Sequence, residues 1–495
     1  MEGLFQIGTA AIFLSWIAWS LFFAPRTRIY RGNLPPSPGF ALPIIGHLHL
    51  LGNLPHVSFI ELAKRYGPCL MLKLGSYPSL LISSPEFARE ALKVNDIVFS
   101  SRPSLAASRI LADNAAGILW APYGQEWRNL RKLCSLELLT SRRIEESRPV
   151  RAAEVAAAMA RAKEISKAGI CVNLTSLLED LTFDIMRVWV MGSSESSRSS
   201  AGVYKRVMKE SFVAGGEVHV GDYVPWLWWL DLAKVARMKR VHGEIDDIIQ
   251  KEIDEHCGKR SGSDDFITAT LRNNEICRTD RDRKGLITDV IGGSTDTSAL
   301  TVEWAMAELI NNPRSLERAQ DELLQTFGKN SLVEEDRLEE LEFLTAVVKE
   351  TLRLHPTAPI LIYETTHECQ LERYTIPPKT RVFINIYGIA RSEASWSDPL
   401  AFKPERFLGS GAIDVRGRDF EVLPFGSGRR GCPGIQLGFT MVMLVLANLL
   451  HGFHWSLPPG LSRLDMSEES GLTIPRAIPL ELLAVPRLDA RSYSV

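Results

Sequence analysis

The stretch Phe425-Gly426-Ser427-Gly428-Arg429-Arg430-Gly431-Cys432-Pro433-Gly434 places one cysteine at the end of a glycine-studded, arginine-bearing loop, just ahead of a long apolar run. Glycines let a backbone curl close to a sulfur and turn N–H groups toward it. Arg429 and Arg430 add positive charge, and Pro433 suits the first turn of a helix whose N-terminal dipole favours an anion. A free thiol titrates near ~8.5, and neighbours of this kind lower that value. Cys432 is thus suited to be a thiolate ligand for a metal. The ordinary alternative is a small buried hydrophobe, which suits Cys69, Cys134, Cys171, Cys257, Cys277 and Cys369. Gly426-x-Gly428-x-x-Gly431 also has the spacing of a dinucleotide fingerprint, which needs an acid about 20 residues on and a following strand–helix repeat. The next acid after Cys432 is Asp465, and little chain remains beyond it. The nucleotide reading fails on context.

Three other groupings carry chemistry. Gly292-Gly293-Ser294-Thr295-Asp296-Thr297-Ser298 lies inside Leu286–Ile310, a stretch that predicts a long helix through the body. Adjacent glycines followed by hydroxyls weaken a helix, and Thr297 can bond back to the Gly293 carbonyl, opening a groove. Packing or hydrogen bonding is the plain alternative for such hydroxyls. Glu350 and Arg353 share a helical face at i, i+3, a spacing also found at Glu86/Arg89, Glu195/Arg198 and Glu334/Arg337, which read as surface pairs. Trp127 and Arg131 share a face at i, i+4, where cation–π packing is common. Arg128 and Lys132 beside them form a solvated face or a basic docking face.

Elements to position these groups are ample. The chain has 495 residues, 45% hydrophobic and 23% charged, which supports a substantial core. A net charge of −2 gives no case for a nucleic-acid partner. Seven cysteines without a C-x-x-C pair argue against zinc ribbons and disulfide frameworks, and for a reducing compartment. Leu4 to Phe23 carries no charge, and about twenty helical residues at ~1.5 Å each span a bilayer core of ~30 Å. Arg26, Arg28 and Arg31 follow, so the positive-inside rule puts the body in the cytosol. A cleaved signal peptide, the competing reading, would want a basic start and a small-residue cleavage site. Leu34-Pro35-Pro36-Ser37-Pro38-Gly39 and Pro43-Ile44-Ile45-Gly46 form a stiff connector. Beyond it helical patterns dominate, with short strands expected at Cys69–Leu74, Leu80–Ile82 and Thr380–Ile386. Met191–Gly202 and Cys257–Asp265 read as exposed loops. The densest aromatic patch, Tyr223–Leu230, suits either core packing or a membrane-dipping or substrate-entry role.

Phe425, Gly428, Arg430, Cys432 and Gly434 together resemble the haem-binding loop of the cytochrome P450 family. Lys349–Pro356 with Pro404-Glu405-Arg406-Phe407 is similar to that family's E-x-x-R helix and P-E-R-F partner, and Trp127–Arg131 to its W-x-x-x-R element. The resemblance covers the chain from the anchor to Arg487. It implies a mainly α fold with small β-sheets, an α-rich and a β-rich lobe around a buried haem, and an N-terminal transmembrane helix. On that expectation residues 1–24 are the anchor, 25–49 a basic, proline-rich hinge, and 50–495 the haem-thiolate monooxygenase domain.

Cys432 is then the axial thiolate of haem b, in a loop including Phe425, Gly426 and Gly434. Trp127, Arg131 and Arg430 face the haem propionates. Asp296 and Thr297 are the acid–alcohol pair that delivers protons over an oxygen groove, and Glu350 is shared by Arg353 and Arg406. NADPH–cytochrome P450 reductase, dioxygen, a lipid bilayer and a small hydrophobic substrate are the implied partners, at the endoplasmic reticulum membrane. The hinge, Phe99-Ser100-Ser101-Arg102-Pro103, Pro359–Thr365 and Gly471–Ala477 are similar to plant microsomal A-type members, among them ferulate 5-hydroxylase-like and flavonoid hydroxylase sequences. A phenylpropanoid or flavonoid ring is the first expectation for substrate, a terpenoid or fatty-acid-derived one the second. Ser104–Ile118, Asp289–Thr297 and Thr357–Ile362 are the candidate pocket stretches. Two departures stand out: Ser294 occupies the second glycine's place, and Tyr363 stands where many relatives carry His or Arg. A reductase-independent isomerase or dehydratase, whose relatives tend to lose the acid–alcohol pair, and a non-enzymatic haem sensor or electron carrier are the rival classes.

Overall fold

Thr279 caps the longest described helix, Asp280–Asn311: its hydroxyl accepts the Asp282 N–H at 3.2 Å, and Asp280 and Asp282 put negative charge at the positive helix end. The computed structural model describes residues 32–192, 195–258, 265–409 and 411–493. The expected anchor Leu4–Phe23, its following arginines and the start of the hinge lie outside them. The central helix begins six residues before the expected Leu286, because Asp280–Lys284 is charged and shows no apolar period. From Ser298 to Ala307 it is buried on every side. Helices Leu174–Met191, Glu342–Leu354 and Ile435–Gly452 pack against it. Ile435–Gly452 is the one described helix long and apolar enough to cross a membrane, but it lies mostly within the core.

The β-rich part is a four-stranded sheet in the order Cys69–Leu74, Tyr77–Ile82, Arg381–Asn385, Ile360–Glu364. Its outer pairings are antiparallel and its middle pairing parallel. Leu80, Leu81 and Ile82 face Val382, Phe383 and Ile384 across that middle pairing, in an apolar run suited to a strand covered on both faces. Smaller sheets join Val172–Asn173 to Glu481–Pro486 and Phe453–Ser456, and Cys369–Leu371 to Tyr374–Ile376.

One loop expectation needs correction. Met191–Gly202 is not a single exposed loop: Gly192 (φ +75°) ends one helix and Glu195–Gly216 forms another. Tyr204, Val207, Met208 and Ala214 are buried along it at helical spacing, a period masked by the preceding serines. Of the expected loop Cys257–Asp265, residues 259–264 lie outside the described residues; Cys257 and Gly258 close helix Leu232–Gly258, and the Asp265 carboxylate caps Phe266–Arg272 through the Thr268 N–H at 2.8 Å. The aromatic patch is not core: Trp226, Trp228, Trp229 and Leu230 are 48–59% exposed.

Candidate active site

Gly426 (φ +65°) and Gly428 (φ +68°) bend the cysteine loop through the left-handed region, and a Cβ on Gly428 would stand 2.2 Å from the Leu92 carbonyl oxygen. The return brings the Cys432 N–H onto the Phe425 carbonyl at 2.8 Å. Gly434 is the N-cap of Ile435–Gly452, so Pro433 stands just outside the helix and not in its first turn. Cys432 sits deep in the fold, and its accessible surface faces a cavity of about 430 Å³.

The charges around that thiol differ from expectation. Arg429 turns outward to Asp96 at 2.8 Å, and Arg430 turns to the Ser100, Ile118 and Ala121 carbonyls. The cation that acts on the sulfur is Arg131. Burial pushes the Cys432 thiol above its ordinary value, while the Gly434 N–H and Arg131 pull it down. Burial wins over the neighbours in the protein alone, and a metal cation would reverse that balance.

Arg102, Arg131 and Arg430 all line the cavity. Arg102 donates to Leu119 and Ile362 carbonyls, and Arg131 to the Gly431 carbonyl at 2.5 Å. Among the described residues none of the three is ion-paired. Burial lowers the guanidinium pKa of each, that of Arg430 to about 9. Three cations withdrawn from bulk water around one cavity need anions. Trp127 donates its indole N–H to the Ile118 carbonyl at 3.0 Å, so that group is not free for a ligand. Its ring packs against the Arg430 and Arg131 guanidiniums, 4.3 and 5.5 Å from the centroid. Tyr363, 1% exposed, carries Arg102 over its ring at 4.9 Å.

The opposite wall comes from the central helix, through Gly293, Ser294, Thr297, Ser298 and Thr301. The helix runs unbroken past the glycine pair. Thr297 Oγ1 donates to the Gly293 carbonyl at 2.7 Å, the back-bond its spacing suggests. Asp296 is directed elsewhere: its carboxylate accepts the Thr473 hydroxyl at 2.6 Å, and burial raises its pKa to about 6. About two turns earlier, Asp289 accepts the Ile118 and Leu119 N–H groups at 2.6 and 2.8 Å, pinning the Ser104–Leu119 loop over the cavity.

Beneath the cysteine loop, Arg353 meets Glu350 through two hydrogen bonds of 2.7 and 2.8 Å, with both residues fully buried. Arg406 Nε approaches the same carboxylate at 3.3 Å, and the Lys403 N–H at 2.8 Å. Arg353 also holds the Ala390 and Pro399 carbonyls at 2.8 and 2.7 Å, so one buried cluster fixes the segment that leads to the cysteine loop.

Ser104–Ile118, Asp289–Thr297 and Thr357–Ile362 all contribute to the cavity. Sequence reasoning missed Met208 and Phe212, on a helix whose start reads as loop, and gave Leu472 and Thr473 no pocket role although they lie in the Gly471–Ala477 string. Arg102 appeared only inside a familiar string, with no local sign that it would enter the cavity.

The described geometry is a buried cysteine facing a cavity ringed by unpaired arginines, with a hydroxyl-bearing helix opposite. Residues 35–481 match the model of the cytochrome P450 family. The chain belongs to the cytochrome P450 family. It is 42% identical to cytochrome P450 71A1 of Persea americana over 462 residues, covering 90% of this chain and 92% of that one. It is 40% identical to flavonoid 3'-monooxygenase of Petunia hybrida, over 95% of each chain. Trimethyltridecatetraene synthase of Zea mays is 38% identical, over 99% of this chain and 95% of its own. The chain is accordingly a plant cytochrome P450 monooxygenase, using haem b with a cysteine thiolate ligand and electrons passed from NADPH by a reductase. The cavity suits that cofactor: it offers one thiol, apolar walls, and three guanidiniums without an ion pair among the described residues where a porphyrin brings two carboxylates.

Proposed function

We propose that this cytochrome P450 hydroxylates a phenylpropanoid or flavonoid ring, with Cys432 as the axial ligand. Arg102, Arg131 and Arg430 would hold the propionates, Trp127 steadying two of them from behind. When bound, the haem supplies oxygen activation and insertion, favoured by electron donation from the thiolate. The protein's own groups manage protons and exclude water. Thr297 presents its hydroxyl at the cavity face while bonded to Gly293. Asp296, whose pKa burial raises to about 6, can take up and give up a proton within reach of cytosolic pH. The Glu350, Arg353 and Arg406 cluster keeps the cysteine loop in place.

The observation that carries the substrate reading is the near full-length similarity to a flavonoid 3'-monooxygenase. The cavity supports it, since apolar Leu111, Ile118, Phe212 and Leu472 line it together with the hydroxyl-bearing Ser211, Thr301 and Thr357, which a hydroxylated aromatic can satisfy. A terpenoid substrate is the second reading, favoured by the synthase relative from Zea mays. Incubating the holoenzyme with reductase, NADPH and panels of both classes tests this. A flavonoid or phenylpropanoid gaining one oxygen atom supports the first reading, whereas turnover of terpenoids alone overturns it.

The protein is proposed to sit at the endoplasmic reticulum membrane through Leu4–Phe23, its body cytosolic and served by NADPH–cytochrome P450 reductase. The exposed Trp226, Trp228, Trp229 and Leu230 support a second contact with the bilayer interface.

A further inference from the structure

The structure assigns Thr473 as the positioning residue for Asp296, tying the proton-delivering acid to the loop that touches substrate. This rests on the proton role proposed for Asp296. The two residues lie 177 positions apart, and the Thr473 hydroxyl donates to the Asp296 carboxylate at 2.6 Å. Among the described residues it is the one hydrogen-bond partner of that carboxylate.

The loop carrying Thr473 is itself fixed. The Ile474 N–H donates to the Thr357 carbonyl at 2.9 Å, and Trp304, two turns past Asp296 on the same helix, donates to the Ile474 carbonyl at 3.0 Å. A Cβ on Gly216 would stand 2.1 Å from the Gly471 carbonyl carbon, so the helix Glu195–Gly216 closes the loop's other side. Leu472 and Thr473 line the cavity together with Thr297, and Thr357 lines it from the strand side. A substrate pressing on Leu472 therefore acts on the residue whose hydroxyl aims the acid.

The other charges facing Asp296 are Glu179, from Leu174–Met191, and Lys209, from Glu195–Gly216, which pair with each other at 2.5 Å. Their opposed signs largely offset, leaving the Thr473 hydroxyl as the main local influence against burial. A donor to the ionised carboxylate favours that form, so its removal raises the pH at which the group takes a proton.

Infrared difference spectra of the ferric holoprotein across the weakly acidic to neutral range, with Asp296→Asn identifying the band, read that protonation directly. Thr473→Val should move the midpoint up by about one pH unit, and Thr473→Ser should restore it. With reductase present, Thr473→Val should release more hydrogen peroxide per NADPH, and Thr473→Ser should match wild type. If the valine variant does not accumulate with haem, Thr473→Ala serves in its place. An unmoved midpoint overturns the assignment. Unchanged peroxide release in Asp296→Asn would instead overturn the proton role of Asp296, and the assignment with it.

Discussion

Glu350 and Arg353 lie one helical turn apart, and both are fully buried, joined by two hydrogen bonds of 2.7 and 2.8 Å. Such a pair stands only because further donors complete it, here Arg406 and the Lys403 N–H. Removing one partner strands a buried charge at about 3–5 kcal/mol. Glu350→Ala should therefore lose both haem and cooperative unfolding, seen as loss of the Soret band and of the thermal transition. A stable, haem-replete variant would show that the cluster does not brace the cysteine loop.

Thr297 holds its hydroxyl between the Gly293 carbonyl and the cavity. Thr297→Ala should keep the haem spectrum but lower product per NADPH by ~10²-fold, within the usual reach of a positioned proton donor. Hydrogen peroxide should account for the missing reducing equivalents. Unchanged coupling would refute the role.

Arg102 contributes one of three guanidiniums that form no ion pair among the described residues. A hydrogen bond to a charged group is worth about 1.5–3 kcal/mol, equivalent to roughly ten- to a hundredfold in haem affinity. Arg102→Gln should release haem to an apo-globin acceptor faster by about that factor. An unaltered rate would place the propionates on Arg131 and Arg430 alone.

Asp289 is buried while tethering the loop above the cavity, and burial raises its pKa to about 7. Between the unfolded value of ~3.9 and about 7, the folded protein holds a proton that the unfolded chain has shed. Its contribution is thus complete below ~4 and is lost as pH rises through about 7. Asp289→Asn offers a neutral oxygen to the same two N–H groups. Its melting temperature should gain on wild type across that window, by an amount reflecting a few kcal/mol. A difference that does not vary with pH would contradict the raised value.

Much of this site was legible because its pieces are local. The cysteine loop, the Glu350–Arg353 turn and the strand Cys69–Leu74 each carry their signal within a few residues. Arg406 needed only a second short string. What stayed hidden depends on distant packing. Met208 and Phe212 enter the cavity from a helix whose serine-rich start reads as loop. Arg430 adjoins Cys432 in sequence yet turns to Ser100, Ile118 and Ala121, leaving Arg131 to act on the sulfur. The Asp296–Thr473 and Asp289–Leu119 bonds join residues more than 160 positions apart, and no spacing rule connects them.

The claim on which everything else depends is that Cys432 binds haem iron as a thiolate. The absorption spectrum of the reduced holoprotein with carbon monoxide reads that bond directly. The wild-type protein should show the strongly red-shifted Soret band of a thiolate–carbonyl adduct, and Cys432→Ala should lack it even when loaded with haem. A haem-loaded wild type without that band, or a Cys432→Ala variant that retains it, would contradict the account.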